Sequence, residues 1–499
     1  MKKIIPYIAF LIISFWSCEN LDVENNDAPD RTKIFENQKD LRTFAQNIYI
    51  TYWQALHGGA YLTPQIAALT TADQFTASWY TFGCYDMSIE PRIPWNNSPT
   101  YEYRDLTYAI YSNMYTVIYM CNTVIKLMKE GKKISSNPSI NIGYLSMCYF
   151  LRGAAMGQIG ITFDKAQIVN EETDLKNLSF QPYNVVIDSA ISWLEKSISI
   201  SDTATFDLGN NIVNGVSLNQ KLLNRVCHSY IARFMVLGSR TKAENAAVDW
   251  TKVLEHARKG VTEDFGPQGD GNNRWYDEIA RFLTNTDNTQ YFFCKVDCRL
   301  IHLMDPSYPS RYWSNGHPRK VHSDKRAGEA KSDDARLESD FEFSSGIRFY
   351  AERGTYHYSH YRFKRYDNLR TSGLGQMIDI SKYENALYAI EAWTMMDEKE
   401  SAINALNMPN YPRIARGKLP AISVNTDKKT LLNIIFYERE IELLGQGYLT
   451  GFCDMRRRDM LRKGTPLHFP VPGNELQTLN MDIYTYGGED NMDGINTSN

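Results

Sequence analysis

The sequence predicts a mainly α-helical protein, a helical-repeat scaffold with a long irregular, loop-rich layer inserted into it. Three observations carry this. Apolar residues recur at gaps of three and four through much of 34–260 and again through 381–445, the period of a helix with one buried face. The stretch 261–380 has no long helical stripe but many loop-like glycines and aromatics. The helical stretches are joined by modest connections, so neighbouring pairs can cover one another's apolar faces.

The elements follow in order. Leu41, Phe44, Ile48 and Tyr52 share the first face. Leu106, Ile110, Met114, Val117, Cys121, Ile125 and Met128 make one long stripe, and Tyr144, Cys148, Leu151, Ala155 and Ile159 make the next, with Gly160 as its expected stop. Ile187, Ile191, Leu194 and Ile198 form a third stripe, and Leu223, Val226, Tyr230, Phe234 and Leu237 a fourth, closed by Gly238. Ala247, Trp250, Leu254 and Ala257 precede Gly260. Beyond the insertion, Tyr383, Leu387, Ile390 and Trp393, then Ala402 and Leu406, then Leu431, Ile434, Ile435, Ile441 and Leu444 complete the set. Phe341 to Tyr366 alternates aromatic and polar residues, a pattern of short strands. The tail 485–499 is polar and is expected to be loose.

The N-terminus points to export. Lys2 and Lys3 precede an apolar core of 13 residues, Ile4 to Trp16. That is shorter than the ~20 residues a spanning helix needs and matches the apolar region of a secretory signal. Ser17-Cys18 follows, then the polar Glu19-Asn20-Leu21-Asp22. This resembles a bacterial lipoprotein processing site, with 1–17 as the signal peptide and Cys18 as the lipid-bearing first residue, although Phe15 and Trp16 are bulkier than usual there. Residues 18–33 then form a polar tether to one domain, 34–484. Several acyl chains on one cysteine anchor a domain to a bilayer firmly.

Removing Lys2 and Lys3 takes the formal charge from −4 to −6. That balance offers no basic footprint for nucleic acid. Seven cysteines besides Cys18 are an odd number, which excludes a complete disulfide framework. Cys294 and Cys298 leave pairing open, but one CxxxC without a second ligand pair does not make a metal site.

The C-terminal third carries a resemblance. Glu438-Arg439-Glu440-Ile441-Glu442-Leu443-Leu444, then Gly447, Asp454 and Arg456-Arg457, resembles the helix-and-turn signature of the SusD/RagB family, and Phe469-Pro-Val-Pro-Gly-Asn-Glu475-Leu476 looks like its closing proline segment. Tyr383 to Pro420 is similar to the family's helix pair, and Cys121-Asn122 and Leu151-Arg152-Gly153-Ala154 resemble family positions nearer the front. The turn departs from the family, reading Gln446-Gly447-Tyr448-Leu449 with a longer stretch to Asp454. The residues themselves read as structural: Glu438, Arg439, Glu442, Asp454 and Arg456 pair charges to close a helix and fix a turn. The resemblance implies a tetratricopeptide-like core in a lipoprotein on the outer face of the outer membrane. It implies a lid over a SusC-like TonB-dependent transporter, holding glycans, or in some members peptides, for import.

A glycan site needs rings against the apolar sugar faces and amides or charges at the hydroxyls. The chain has 32 Tyr, 22 Phe and 9 Trp. Those in polar loops are the ones that matter. Asp73 to Tyr80 with Trp95-Asn96-Asn97, and Asn272 to Tyr276 with Tyr308 to Trp313, are the two such regions. The candidates are therefore Trp79, Trp95, Trp275 and Trp313 for stacking and Asn96, Arg274 and Arg311 for polar contacts. The competing role for these rings is to plug the seam between the two layers.

No catalytic residue is expected. A surface glycoside hydrolase would need two carboxylates about 5–10 Å apart, and no acid/base motif, GxSxG, HExxH or phosphate loop is present. Lys331 to Asp340 reads as a solvated charged loop, and His317, His322, His357 and His360 as surface histidines. No metal ligand set and no cofactor is expected. Glu489 to Gly494 only partly resembles a calcium loop, and a structural calcium ion elsewhere is left open. A peptide-binding member of the same family, a hydrolase, and a scaffold that binds only proteins are the alternatives.

Overall fold

The computed structural model describes residues 35, 37–58, 64–77, 83–271, 273–284, 294–312, 327–344 and 357–490. The signal peptide, Cys18 and the tether lie outside the described residues.

The helices are α1 Gln38–Gln46, α2 Ile48–His57, α3 Pro64–Thr71, α4 Asp105–Lys129, α5 Pro138–Thr162, α6 Tyr183–Ser201, α7 Gln220–Leu237, α8 Trp250–Lys259, α9 Lys382–Met395, α10 Lys399–Leu406, α11 Lys428–Glu442 and α12 Thr450–Arg456, with shorter turns between them. Several begin on residues that cap them. The side chains of Asn137, Asn219, Asp249 and Asp427 accept backbone N–H bonds from the first turns of α5, α7, α8 and α11. Such a cap stabilises a helix by about 1 kcal/mol.

Each helix packs on the next in a chain: α4 on α5, α5 on α6, α6 on α7, α7 on α8, α8 on α9, and α9 on both α10 and α11. The fold is therefore mainly α with tetratricopeptide-like helix pairs, as expected. Glycines set the closest approaches. A Cβ on Gly157 would lie 2.1 Å from the Phe234 ring, and one on Gly160 would lie 2.7 Å from Ile187. Gly160 does not stop its helix, which runs on to Thr162; it is there so that α6 can approach.

The loop-rich layer leaves the scaffold after α8 and returns at α9, yet those two helices touch directly. The insertion is thus a closed excursion from a continuous helical stack. Its strands are short and antiparallel. β1 Phe75–Ala77 pairs with β5 Cys294–Val296, and β4 Gln268–Asp270 with β8 Leu374–Gln376. β6 Phe341–Phe343 pairs with β7 Tyr361–Phe363, while β2 Lys165–Gln167 and β3 Phe180–Pro182 form a ribbon beside the helices.

Charges are buried where the two layers meet. The run Lys331 to Asp340 is not the solvated loop expected of it: Asp334, Arg336 and Asp340 are buried. Arg336 lies 2.8 Å from Glu438 and 3.3 Å from Glu442 of α11, and Arg416 holds Glu442 at 2.7 Å. A buried carboxylate without a cation is costly, so the insertion supplies the arginine. The turn charges are structural too. Arg439 bonds Asp454 at 2.7 Å. Arg456 instead donates to the carbonyls of Ile161, Leu467 and Leu237 at 3.0, 2.8 and 2.7 Å. The tail is docked over its described part: Trp95 N–H donates to the Tyr486 carbonyl at 3.0 Å, and Gly488 N–H to that of Gly464 at 2.9 Å. Residues 491–499 lie outside the described residues.

Candidate functional site

The early loop and the middle insertion meet at one junction. The β1–β5 pair, with Phe75 opposite Val296, brings their backbones together. Beside it, the turn after the helix Cys84–Ser88 carries Glu90, and the turn after the helix Cys298–Met304 leads to Arg311. Arg311 Nη2 pairs with Glu90. Glu90 is also 2.9 Å from Arg462 and 3.4 Å from the His357 imidazole. Arg462 continues to Asp73 at 2.8 Å, and Arg92 stands 3.7 Å from Asp73.

Electrostatics here favour bound acceptors. Burial alone would raise the Glu90 carboxyl, but His357, Arg462 and Arg92 outweigh it and hold it at about 2. Burial lowers the His357 imidazole, and the neighbouring Glu90 only partly opposes this. Asp297, beneath them, is pushed well up by burial and by Asp73. The junction therefore presents three arginines, Arg92, Arg311 and Arg462, against the carboxylates of Glu90 and Asp73. A recess of about 50 Å³ opens there, lined by Glu90, Arg92, Arg311, Arg462, Lys463 and Glu489. About 10–15 Å³ of such space holds one water, so the recess takes a few waters or a small polar group of a ligand. Arg311 is the most exposed of the three arginines, its side chain 26% exposed against 2% for Arg92 and 17% for Arg462, while its Nε is buried and without a hydrogen-bond partner among the described residues.

The predicted residues separate. Arg311 lies in the junction, and Trp95 and Asn96 follow Arg92 along the same early loop. Trp95 is 3% exposed and packs edge-on against Tyr101 with ring centres 5.2 Å apart, so its faces are filled by protein. Asn96 is exposed, and its side chain accepts the Ser98 N–H at 3.1 Å. Trp275 and Arg274 go elsewhere. Trp275 is 8% exposed and stacks on Tyr49 of α2, ring centres 6.2 Å apart. Arg274 is exposed and bonds Asn47 ahead of that helix. Both clasp the insertion onto the scaffold, the seam-plugging role, because a polar loop rich in rings buries them wherever it crosses a helix. Trp79 and Trp313 lie outside the described residues.

Glu90, Arg92, His357 and Arg462 were not singled out for the site. Of the four histidines read as superficial, His357 is 1% and His360 6% exposed; His317 and His322 lie outside the described residues. A lone Glu, Arg or His in a loop has no periodicity, so nothing marked these as neighbours. Among the described residues no group of three or more His, Cys, Asp or Glu is placed to hold a metal. No described helix is long and apolar enough to cross a membrane.

No family model and no curated protein matches the sequence. Solved structures do match its fold. A SusD superfamily protein from Parabacteroides distasonis aligns with TM-score 0.62 at 12% identity, covering 89% of this chain and 98% of its own. A SusD superfamily protein from Bacteroides vulgatus aligns with TM-score 0.57 at 15% identity over 89% and 98% of the two chains. The fold is that of the SusD superfamily. A SusD-like carbohydrate binding protein from Bacteroides fragilis also aligns, with TM-score 0.57 at 13% identity over 85% of this chain and 87% of its own. In this fold, the scaffold is the helical stack α4 to α11, and Arg311, in the layer laid across it, meets Glu90 of the early loop.

Proposed function

We propose that this chain is a cell-surface lipoprotein, anchored at Cys18, that binds a nutrient oligomer, a glycan, without cleaving it, and passes it to a SusC-like TonB-dependent transporter of the outer membrane. The observation that carries the reading is the convergence of the early loop and the middle insertion, in a SusD-like fold, on a donor-rich recess reached by Arg311. Solved proteins of this fold include ones described as carbohydrate binding. Cationic side chains with open donors hold sugar hydroxyls, and Asn96 adds an exposed amide on the same loop.

The test has three parts. The full chain is titrated calorimetrically with a set of neutral and acidic oligosaccharides, and saturable heat without new reducing ends is expected. Reducing ends that accumulate with time sink the non-catalytic role. In cells, Cys18→Ser is expected to move the protein out of the membrane fraction and abolish palmitate labelling. Purification of the anchored protein is expected to bring a TonB-dependent barrel with it, and a barrel-free preparation argues against the delivery step.

A further inference from the structure

His228 of α7 and His256 of α8 face each other, Nδ1 to Nδ1 at 2.9 Å, with ring centres 5.1 Å apart and planes inclined by 48°. The rings come from two helices that pack side by side in the stack, so the scaffold sets their spacing. Both residues are half-buried. Two neutral imidazoles this close share one proton, one Nδ1 donating and the other accepting.

The same spacing suits a shared metal ion. Two metal–nitrogen bonds of about 2.0–2.1 Å, opened at 90–109°, set the nitrogens about 2.8–3.4 Å apart. Each ring need only turn its lone pair off the line between them. The donating ring passes to its Nε2–H tautomer, so the ion takes two neutral imidazoles and no net proton is lost. Imidazole suits copper, nickel and zinc, whereas magnesium and calcium take oxygen ligands.

The surroundings favour the metal-binding form. Burial lowers His228, and His256 and Lys259 lower it further, to about 4, against the pull of Asp202 and Glu255. Burial also lowers His256, with Lys259 and Lys252 adding to the effect and Glu255 opposing it. Both rings are therefore neutral at pH 7, the state that ligates metals. The approach favours a cation as well. His256 stands in the wall of a groove of about 680 Å³ between α6, α7 and α8, whose lining carries Asp188, Glu195, Glu244 and Asp249 against Lys252. An acidic lining raises the local concentration of cations.

We propose that His228 and His256 form a two-imidazole site for a transition-metal dication, copper(II) binding tightest, with water in the remaining positions. Two protein ligands are fewer than the four of a structural zinc centre, so the ion exchanges, and while bound it staples α7 to α8. The site is separate from the Arg311 junction and independent of the glycan reading.

The untagged full chain is titrated with copper(II), nickel(II), zinc(II), magnesium and calcium salts by calorimetry. Copper is expected to bind most tightly, and magnesium and calcium are expected to leave the pair untouched. His228→Gln and His256→Gln are each expected to weaken copper binding by about tenfold or more, since losing even an outer partner of a ligand costs that much. Copper should raise the melting temperature of the wild type and not of either variant. Electron paramagnetic resonance of the wild-type copper complex counts imidazole nitrogens directly, so the outcome does not hang on a variant that folds poorly. Two coordinated imidazoles are expected there. Copper affinity unchanged in both variants, a copper spectrum without imidazole nitrogen, or no copper bound at millimolar concentration overturns the proposal.

Discussion

Arg457 grips Glu391 through two parallel hydrogen bonds, Nη1 to Oε1 at 2.6 Å and Nη2 to Oε2 at 2.7 Å. Both side chains are out of reach of solvent, and Arg458 adds a third bond at 2.9 Å. The pair ties the end of α12 to α9, across the return of the insertion. Glu391→Ala would leave the buried Arg457 with Asp454, at 2.8 Å, as its remaining counter-charge and would take from the partly exposed Arg458 the carboxylate it bonds. The expected loss of stability is about 3–5 kcal/mol, read by urea unfolding. A loss below about 1 kcal/mol would show that the pair is dispensable.

The same carboxylate makes a pH prediction. Burial would raise Glu391, but Arg457 and Arg458 overcome it and hold the group at about 2, against an ordinary value of 4.5. A carboxyl depressed in the folded state stabilises fully above its unfolded value and loses that contribution as pH falls toward the folded one. Glu391→Gln should therefore cost most at neutral pH. The gap to wild type should shrink between about pH 4.5 and pH 2. Melting curves taken across that window decide it, and a gap independent of pH would contradict the assignment.

Trp275→Ala should affect the fold and not the ligand. The ring is covered by Tyr49 and the scaffold, so its removal leaves a cavity costing about 3–5 kcal/mol. Oligosaccharide affinity of the folded variant should equal that of wild type. Weakened binding with an unchanged melting temperature would return Trp275 to the ligand site.

Arg311→Ala should do the reverse. Its partner Glu90 keeps Arg462 at 2.9 Å and His357 at 3.4 Å, so no buried carboxylate is orphaned. A lost charged hydrogen bond to a ligand is worth about 1.5–3 kcal/mol, which is roughly 10- to 100-fold in Kd. Calorimetry beside a thermal melt separates the two effects. A variant that binds like wild type removes Arg311 from the site.

Gly157→Ala tests the close contact of α5 with α7. The added carbon would sit 2.1 Å from the Phe234 ring, and overpacking of this kind costs about 1–3 kcal/mol. Gly328→Ala, where nothing lies within 4 Å, is the control and should stay within about 0.5 kcal/mol.

The sequence by itself determined the helical scaffold. Stripes such as Leu106 to Met128 and Leu223 to Leu237 are local, repeat with the helix period, and need no knowledge of the partner they cover. It also marked Glu438, Arg439 and Asp454 as structural, because ionisable groups set among apolar helix residues must find counter-charges. Only the tertiary structure decided which loop residues meet. Trp275 and Arg311 look alike in sequence, each an aromatic or cation in a polar loop, yet one is a core ring and the other opens on a recess. Glu90 and Arg311 are 221 positions apart. Their contact depends on where an aperiodic chain crosses a finished helical stack, and no local pattern encodes that crossing.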